Sequence, residues 1–247
     1  MAHGSHEIKV IEFTLLTWGV IFVFAGIALK KISFIPGKMQ NMLELGLEFI
    51  YDLADNTIGD KETARPYYPL FVSIFLFILI ANLIGLIPGA MAPTANINTT
   101  LALALIVFVY YHFLAFKTKG LHYIASFFGT INVSSMPLFM KPPMLIFSYV
   151  ILPVIEVLSH FTRPISLSLR LFGNMFAKET LLVILPVLMC QFIQFPNLLL
   201  KTLLTSMPVL LAPLIILLGV LISLIQAAVF LFLTIIYITG AIKSEEH

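Results

Sequence analysis

Arg170 is the residue whose chemistry is hardest to reconcile with its surroundings. It lies in a run from Pro142 to Pro186 that is mostly leucine, isoleucine, valine, phenylalanine, methionine and serine. A charge at the centre of a bilayer costs from ~3 kcal/mol on insertion scales to ~10 kcal/mol or more in simulations. A guanidinium also keeps its proton up to a pH of about 12. Arg170 therefore requires an anionic partner, from this chain or another.

Further ionisable residues lie in the two long apolar stretches: Glu156, His160, Arg163, Lys178, Glu179 and Lys201. Glu156, Arg163 and Arg170 are spaced seven residues apart, so at ~100° per residue they share one helical face. Asn174 joins that face one turn beyond Arg170. Glu179 follows Arg170 by nine residues, which is about 180° round a helix and ~13 Å along it. Arg170 and Glu179 therefore face opposite ways, and they cannot form an intrahelical ion pair.

This arrangement favours a charge relay, in which the arginine faces a partner and a carboxylate faces a separate water-filled pocket. Burial raises the affinity of a carboxylate for a proton, and a nearby arginine lowers it. Glu179 and Glu156 are therefore candidate proton-handling groups, and Arg170 is a fixed electrostatic element. Ser223 and Gln226 lie three residues apart in the last apolar segment, where they could line the same path.

Several of these residues have structural alternatives. The sequence around His160 and Arg163, next to a proline, favours a surface turn over a channel role. Lys178 and Lys201 have long side chains, and a lysine in a membrane segment more often extends its charged end to the interface than takes part in a mechanism. Glu156 could equally pair with Arg163 for structural reasons alone.

Composition places the chain in a membrane. It has 247 residues, of which 60% are hydrophobic and 11% charged, and its mean hydropathy is +1.05. Ordinary soluble domains are about 45 to 50% apolar. A net charge of +2 is too small to indicate nucleic-acid binding. A single cysteine, Cys190, provides neither a disulfide nor a metal framework, so we expect no cofactor and no metal.

The apolar segments predict an all-α integral membrane protein with about five to six membrane helices in one domain, residues 1–247. A bilayer core of ~30 Å needs about 20 helical residues, and three segments fit one crossing each. Two later stretches are too long, so each is either two crossings or one steeply tilted helix. The predicted membrane helices are 10–29, 68–87, 101–116, 143–189 and 198–241.

Two further patterns concern the membrane surface. Polar residues recur every three or four positions over 38–55, which predicts an amphipathic interfacial helix with a solvated polar face or a docking role. Lysine and arginine lie in the connections 30–66 and 117–141, and the loop 88–97 has no charge. The positive-inside rule then puts the N-terminus outside.

The segment 93–98 is predicted to be a turn with side-chain caps and no chemistry.

Four sequence segments carry a family resemblance: Pro-Ile-Ser-Leu-Ser-Leu-Arg-Leu-Phe-Gly-Asn-Met-Phe-Ala at 164–177, Asn-Ile-Asn-Thr-Thr-Leu-Ala-Leu-Ala-Leu at 96–105, Asn-Leu-Ile-Gly-Leu-Ile-Pro at 82–88, and Gln-Ala-Ala-Val-Phe at 226–230. The chain resembles subunit a of F-type ATP synthases over most of residues 10–242. The resemblance implies a non-catalytic stator with two offset half-channels, which carries protons or Na⁺ past a ring of c subunits, with peripheral stalk subunit b as another partner. It also implies that the last two segments are long tilted helices packed against the ring.

The resemblance also assigns residue roles. Arg170 resembles the family's indispensable arginine, Asn174 and Gln226 its polar neighbours, and Glu156 and Glu179 its half-channel carboxylates. Some members have a histidine seven residues before the counterpart of Gln226, where this chain has Gly219, and we expect water in its place.

The implied location is a bacterial inner membrane. The sequence has no Gly-x-x-x-x-Gly-Lys-Ser/Thr motif, so this chain itself is not expected to bind nucleotide. A secondary transporter and a purely structural membrane anchor are the rival interpretations.

Overall fold

The chain forms only helices, turns and bends within the residues that its computed structural model describes, which are 2–30, 37–87, 89–120, 123, 151–194 and 196–243. Within these residues, seven α-helices have defined bounds: α1 (Ala2–Lys30), α2 (Lys38–Ile58), α3 (Lys61–Ala64), α4 (Tyr68–Ile84), α5 (Ile97–Lys119), α6 (Leu152–Phe192) and α7 (Leu198–Ile242). Short 3-10 turns cover Arg65–Tyr67 and Pro93–Ala95. The predicted all-α fold is confirmed for these ranges.

Five helical segments are long and apolar enough to cross a membrane: Ile8–Gly26, Lys61–Ile84, Ile97–Lys119, Leu152–Phe192 and Leu200–Ile242. Large apolar side chains remain exposed along them, such as Phe22, Leu210 and Leu217. An apolar surface of this extent suits a lipid environment. The protein is therefore an integral, multi-pass membrane protein, with a number of membrane helices within the predicted range.

The two long apolar stretches are single helices over the residues that the structure describes. α6 has 41 residues and α7 has 45, so at 1.5 Å per residue they are about 60 and 68 Å long. Helices of this length fit within a ~30 Å hydrocarbon layer only when strongly tilted. Neither pair of internal prolines ends its helix: Pro164 and Pro186 in α6, Pro208 and Pro213 in α7. A physical reason is that a broken helix would leave backbone groups unsatisfied in lipid.

α7 forms the centre of the fold, since it packs against α2, α4, α5 and α6. The largest fully buried side chains include Phe71 of α4, Leu171 of α6 and Phe230 of α7. The buried stripe of α6 faces α5 and α7, which leaves its opposite face uncovered by this chain. The polar side chains of α6 on the buried face therefore lie inside the protein, and those on the uncovered face do not.

α2 covers the range of the predicted amphipathic helix. Ile50 and Ala54 are buried, and α2 packs on α7. On its polar side, the Tyr68 hydroxyl donates to the Asp55 carboxylate, and the Lys61 amino group lies 3.9 Å from the same carboxylate. These contacts tie α2 to the start of α4, so part of its polar face has an internal structural role.

Candidate functional site

Arg170 lies near the middle of α6 on the face that this chain leaves uncovered, and its side chain is exposed. The neighbouring turns present small exposed residues, Ser166, Gly173 and Ala177. Within the described ranges, no carboxylate of this chain forms an ion pair with Arg170. An arginine in an apolar segment needs an anion, and the carboxylates in the described ranges do not supply one.

Asn174 and Gln226 are brought together one turn beyond Arg170. The Asn174 Nδ2 donates to the Gln226 Oε1 over 2.7 Å, which joins α6 to α7. Gln226 is only 4% exposed, and its Nε2 has no hydrogen-bond partner among the described residues. An unsatisfied buried donor is rare, so this amide is positioned to donate to a group that enters the site.

Lys178 is buried, and the prediction that it extends to an interface was wrong. Its side chain is 4% exposed, and its Nζ donates to the Ser223 Oγ over 2.9 Å and to the Asn82 backbone oxygen over 3.4 Å. The reason is geometric, since Lys178 follows the buried Leu171 and Met175 at helical spacing. That spacing was the available sequence signal for its burial.

Gly219 does not adjoin open space. A β-carbon at this position would lie 2.4 Å from the Leu86 Cδ2 and 3.1 Å from the Lys178 Cδ. Side chains of α6 and of the segment after α4 therefore occupy the space beside its α-carbon. The expectation that water fills this space is wrong, and the lysine passes where a larger residue at 219 would lie.

Glu179 contacts the connection between α4 and α5. Its Oε1 accepts a hydrogen bond from the Ala92 backbone N over 2.6 Å. The same connection is fixed by Thr94, whose Oγ1 donates to the buried Asn82 Oδ1 over 2.6 Å. Gly85 permits this approach, because a β-carbon there would lie 2.4 Å from the Ala92 Cβ. The residue that positions this candidate carboxylate therefore directly precedes the segment 93–98, for which no chemistry was predicted.

A cavity of about 1460 Å³ adjoins Glu179, and we call it the Glu179 cavity. It lies between the first turns of α1, the second half of α6 and the first half of α7. Its walls are mostly apolar, and its charged lining residues are Lys9, Glu12 and Glu179.

A second cavity of about 530 Å³ lies at the start of α6 and the ends of α5 and α7, and we call it the Glu156 cavity. Its polar lining residues are Tyr111, Lys119, Tyr123, Glu156, His160, Arg163 and Tyr237. None of the residues that line this cavity also lines the Glu179 cavity. Arg170 is 14 residues after Glu156 and 9 before Glu179, or about 21 and 13 Å along the helix.

The Glu156 cavity corrects two interpretations of the sequence. His160 and Arg163 lie inside the continuous α6 rather than in a surface turn. The Arg163 guanidinium carbon lies 5.4 Å from the centre of the Tyr237 ring, within the range of a cation–π contact. The Glu156 carboxylate lies 3.7 Å from the His160 Nδ1, so histidine, not arginine, is its observed ionisable partner.

Comparison with known proteins decides the family. The family model described as ATP synthase A chain matches residues 11–239. The chain belongs to the ATP synthase A chain family. The resemblance in the sequence is thereby confirmed.

Bacterial relatives of this family cover nearly the whole chain. It is similar to ATP synthase subunit a of Geobacter sulfurreducens, with 38% identity over 96% of this chain and 88% of the relative. ATP synthase subunit a of Geotalea daltonii is 40% identical over the same shares. That of Sulfurihydrogenibium sp. is 39% identical over 98% of this chain and 99% of the relative.

Replacing Ser223 by alanine is expected to destabilise this family member. The change removes the 2.9 Å hydrogen bond to the buried Lys178 amino group. Only the longer 3.4 Å bond to the Asn82 backbone oxygen then remains, and poorer hydrogen bonding of a buried polar group costs about 1 to 3 kcal/mol, so the unfolding temperature of the purified complex in detergent should fall by several degrees. Ser206→Ala is the matched control, because Ser206 is exposed on the same helix and bonds only a carbonyl of its own helix. An equal fall in unfolding temperature for both variants would show that the hydrogen bond to Lys178 contributes no more to stability than the exposed hydrogen bond of Ser206.

Proposed function

We propose that this chain is the proton-translocating stator subunit of an F-type ATP synthase. One observation carries the proposal: Arg170 is exposed on α6, with no ion pair to a carboxylate of this chain in the described ranges, between two cavities that share no lining residue. A ring of c subunits, each with a carboxylate at membrane depth, supplies the anion that Arg170 requires. The catalytic subunits elsewhere in the complex use the resulting rotation, and this chain makes no ATP itself.

In this proposal the two cavities are parts of two half-channels. A proton enters through one of them, binds a ring carboxylate, travels nearly a full turn in lipid, and leaves through the other. Glu179 and Glu156 exchange protons at the two ends. Because the cavities are offset along α6, a proton can pass between them only on the ring, and the coupled ion is H⁺ or Na⁺.

Arg170 acts electrostatically in this cycle. Its fixed charge favours the anionic form of an approaching ring carboxylate, which must therefore give up its proton. The same charge repels a proton moving directly from one half-channel to the other. Asn174 and Gln226 supply neutral hydrogen-bonding groups one turn away. They stabilise the deprotonated ring carboxylate, and because they carry no charge they do not draw it away from Arg170 as a second cation would.

The surface around Arg170 supports close approach of a ring helix. Ser166, Gly173 and Ala177 are small and exposed beside it, and a β-carbon at Gly173 would meet nothing within 4 Å. Small residues allow helix backbones to approach closely in membranes. Peripheral stalk subunit b is a further proposed partner, and the proposed location is a bacterial plasma membrane with the N-terminus outside.

The fold favours a stator over the two rival functions. A secondary transporter binds its substrate at broken helices near the midplane, whereas α6 and α7 are unbroken through 41 and 45 residues. A simple membrane anchor would need neither an exposed arginine in an apolar helix nor two cavities lined with carboxylates.

Disulfide crosslinking tests the proposed ring interface. In a Cys190→Ser background, we expect Ala177→Cys to crosslink to a cysteine placed near the ring carboxylate of a c subunit in the assembled complex. Val109→Cys is the control, because residue 109 is 64% exposed but lies on α5. Crosslinking of residue 109 but not of residue 177 would show that the Arg170 face does not contact the ring.

A further inference from the structure

The Glu156 cavity contains proton-binding groups besides Glu156 to which the proposed function gives no role. Its volume of about 530 Å³ accommodates several water molecules, each of which occupies about 30 Å³ in the liquid. Two phenols besides Tyr111 line it, together with one carboxylate and one imidazole. A polar cavity of this size with several hydrogen-bonding partners meets the requirements for ordered water.

The Tyr111 hydroxyl indicates where such water binds. Tyr111 is 3% exposed and lines the cavity. Its hydroxyl makes no hydrogen bond of good geometry to the residues that the structure describes, although the Arg163 side chain lies within reach of it. Buried hydroxyls are nearly always satisfied by protein or by ordered water, so this group is positioned to bind a water molecule inside the cavity.

His160 has a defined orientation beside Glu156. It is 9% exposed, and its Nδ1 lies 2.9 Å from the Glu156 backbone carbonyl oxygen. A carbonyl only accepts, so the Nδ1 carries the hydrogen and a further proton binds at the Nε2. The Glu156 Oε1 lies 3.7 Å from the same Nδ1, so a proton that moves from this carboxyl group to the Nε2 must travel through water.

Cationic side chains also border the cavity. Arg163 lies one turn after His160 along α6 and contacts Tyr237 of α7, while the Lys119 Nζ donates to the Gly240 backbone oxygen. Burial raises the pKa of the Tyr123 hydroxyl, which therefore remains a neutral donor. The titratable and charged groups that face His160 are Tyr111, His112 and Lys119 of α5, Tyr123 beyond the end of α5, Glu156 and Arg163 of α6, and Tyr237 of α7.

We propose that His160 is a proton-relay residue of the Glu156 cavity, which exchanges protons with Glu156 through water bound by the Tyr111 hydroxyl. The Glu156 carboxylic acid gives its proton to this water, the water passes a proton to the His160 Nε2, and Glu156 becomes a carboxylate. The imidazolium then releases a proton to water at the mouth of the cavity and returns to its neutral form. Proton uptake follows the same steps in reverse. This inference rests on the proposed stator function.

The test uses inverted membrane vesicles that contain the whole ATP synthase complex. His160→Gln is expected to lower ATP-driven proton pumping by about 3- to 10-fold, less than the 10² to 10⁴ of a typical general acid–base residue, because water can substitute. The size of the loss should change with pH, because glutamine cannot bind and release a proton. Added imidazole should restore part of the rate in His160→Ala, since the truncated side chain leaves room for it.

His112→Gln is the matched control. The His112 Nδ1 bonds a backbone oxygen one turn back, as His160 does, but His112 does not line the cavity. We expect a smaller loss for this variant, and a pH profile that differs from that of His160→Gln. Equal losses and equal pH profiles in the two histidine variants would overturn the relay, because they would indicate a shared packing role.

A second variant keeps the test decisive if His160→Gln fails to assemble. Tyr111→Phe removes only the hydroxyl that binds the relay water, and it is expected to lower pumping by about 2- to 3-fold with the same pH dependence. An unchanged rate and pH profile in Tyr111→Phe would then overturn the relay. Failure of the stator function is distinguishable, since pumping would then survive replacement of Arg170, whereas failure of the relay alone would leave the Arg170 effect intact.

Discussion

Replacement of Arg170 by alanine is expected to abolish ATP-driven proton pumping by the assembled complex. Removal of a single preorganised charge from an active site typically costs about 10² to 10³ in rate, so a loss of at least 100-fold should bring pumping to background. The ring carboxylate would then keep its proton as it passes this chain. Pumping is measured by fluorescence quenching in inverted vesicles, with the amount of this chain in the purified complex as the assembly check.

Arg170→Lys separates charge from geometry. Lysine keeps a cation but loses the planar fork that binds a carboxylate through two hydrogen bonds, and it can lose its proton where arginine cannot. We expect pumping to remain severely impaired. Passive proton leak should also rise in Arg170→Ala, because the charge that repels direct transfer between the cavities is gone.

Arg65→Ala is the control for these variants, since Arg65 is also exposed but lies before α4. We expect its pumping to equal that of the wild type. Retained coupling in Arg170→Ala, with the ring present, would remove the arginine from the centre of the mechanism. The alternative that Arg170 is only a structural ion pair predicts lower complex stability with little change in pumping per assembled complex.

The placement of Arg170, Asn174 and Glu179 could be predicted because it depends only on local helix geometry. Once residues 152–192 form one helix, the spacing of these residues fixes their relative directions whatever else packs nearby. The hydrogen bond between Asn174 and Gln226 was not predicted, although the resemblance placed both residues near Arg170, and two strong polar residues in apolar segments need a partner.

The sequence did not predict contacts that join distant segments. Glu179 bonds a backbone group 87 residues away, and Lys178 bonds partners 96 and 45 residues away. Periodicity describes which face of a helix a residue occupies, but it does not specify which segment covers that face. Lys178 was therefore predicted to reach an interface because lysine usually does so, whereas in the structure α4 and α7 bury it.

The surface turn predicted around Arg163 was wrong for a different reason. Pro164 lowers helix propensity in water, where a freed carbonyl can bind solvent. Within a bilayer the same break would leave backbone groups without partners, so the helix continues through the proline. Helix propensity measured in water therefore gave a wrong prediction for a segment surrounded by lipid. His160 and Arg163, which were assigned to the surface turn, instead line the Glu156 cavity.

Glu179→Gln is expected to slow proton transport by about 10- to 100-fold, within the range for loss of a general acid–base group when water substitutes in part. The carboxamide oxygen can still accept the hydrogen bond from the Ala92 backbone N, so the connection between α4 and α5 should keep its position. What the variant loses is the ability to bind and release a proton at working pH. The measurement is ATP-driven pumping per assembled complex, with Glu48→Gln, exposed on α2, as the control.

Glu179→Asp distinguishes the proton-handling role from the structural one. Aspartate keeps the carboxyl group but is one methylene shorter, so it should weaken the 2.6 Å contact with Ala92 and lower the unfolding temperature while retaining more transport than Gln. If Glu179 serves only to hold the connection, the order reverses, because Gln would then pump normally and Asp would be the damaged variant. The relative order of the two variants in rate and in stability therefore decides whether protons pass through Glu179 or only past it.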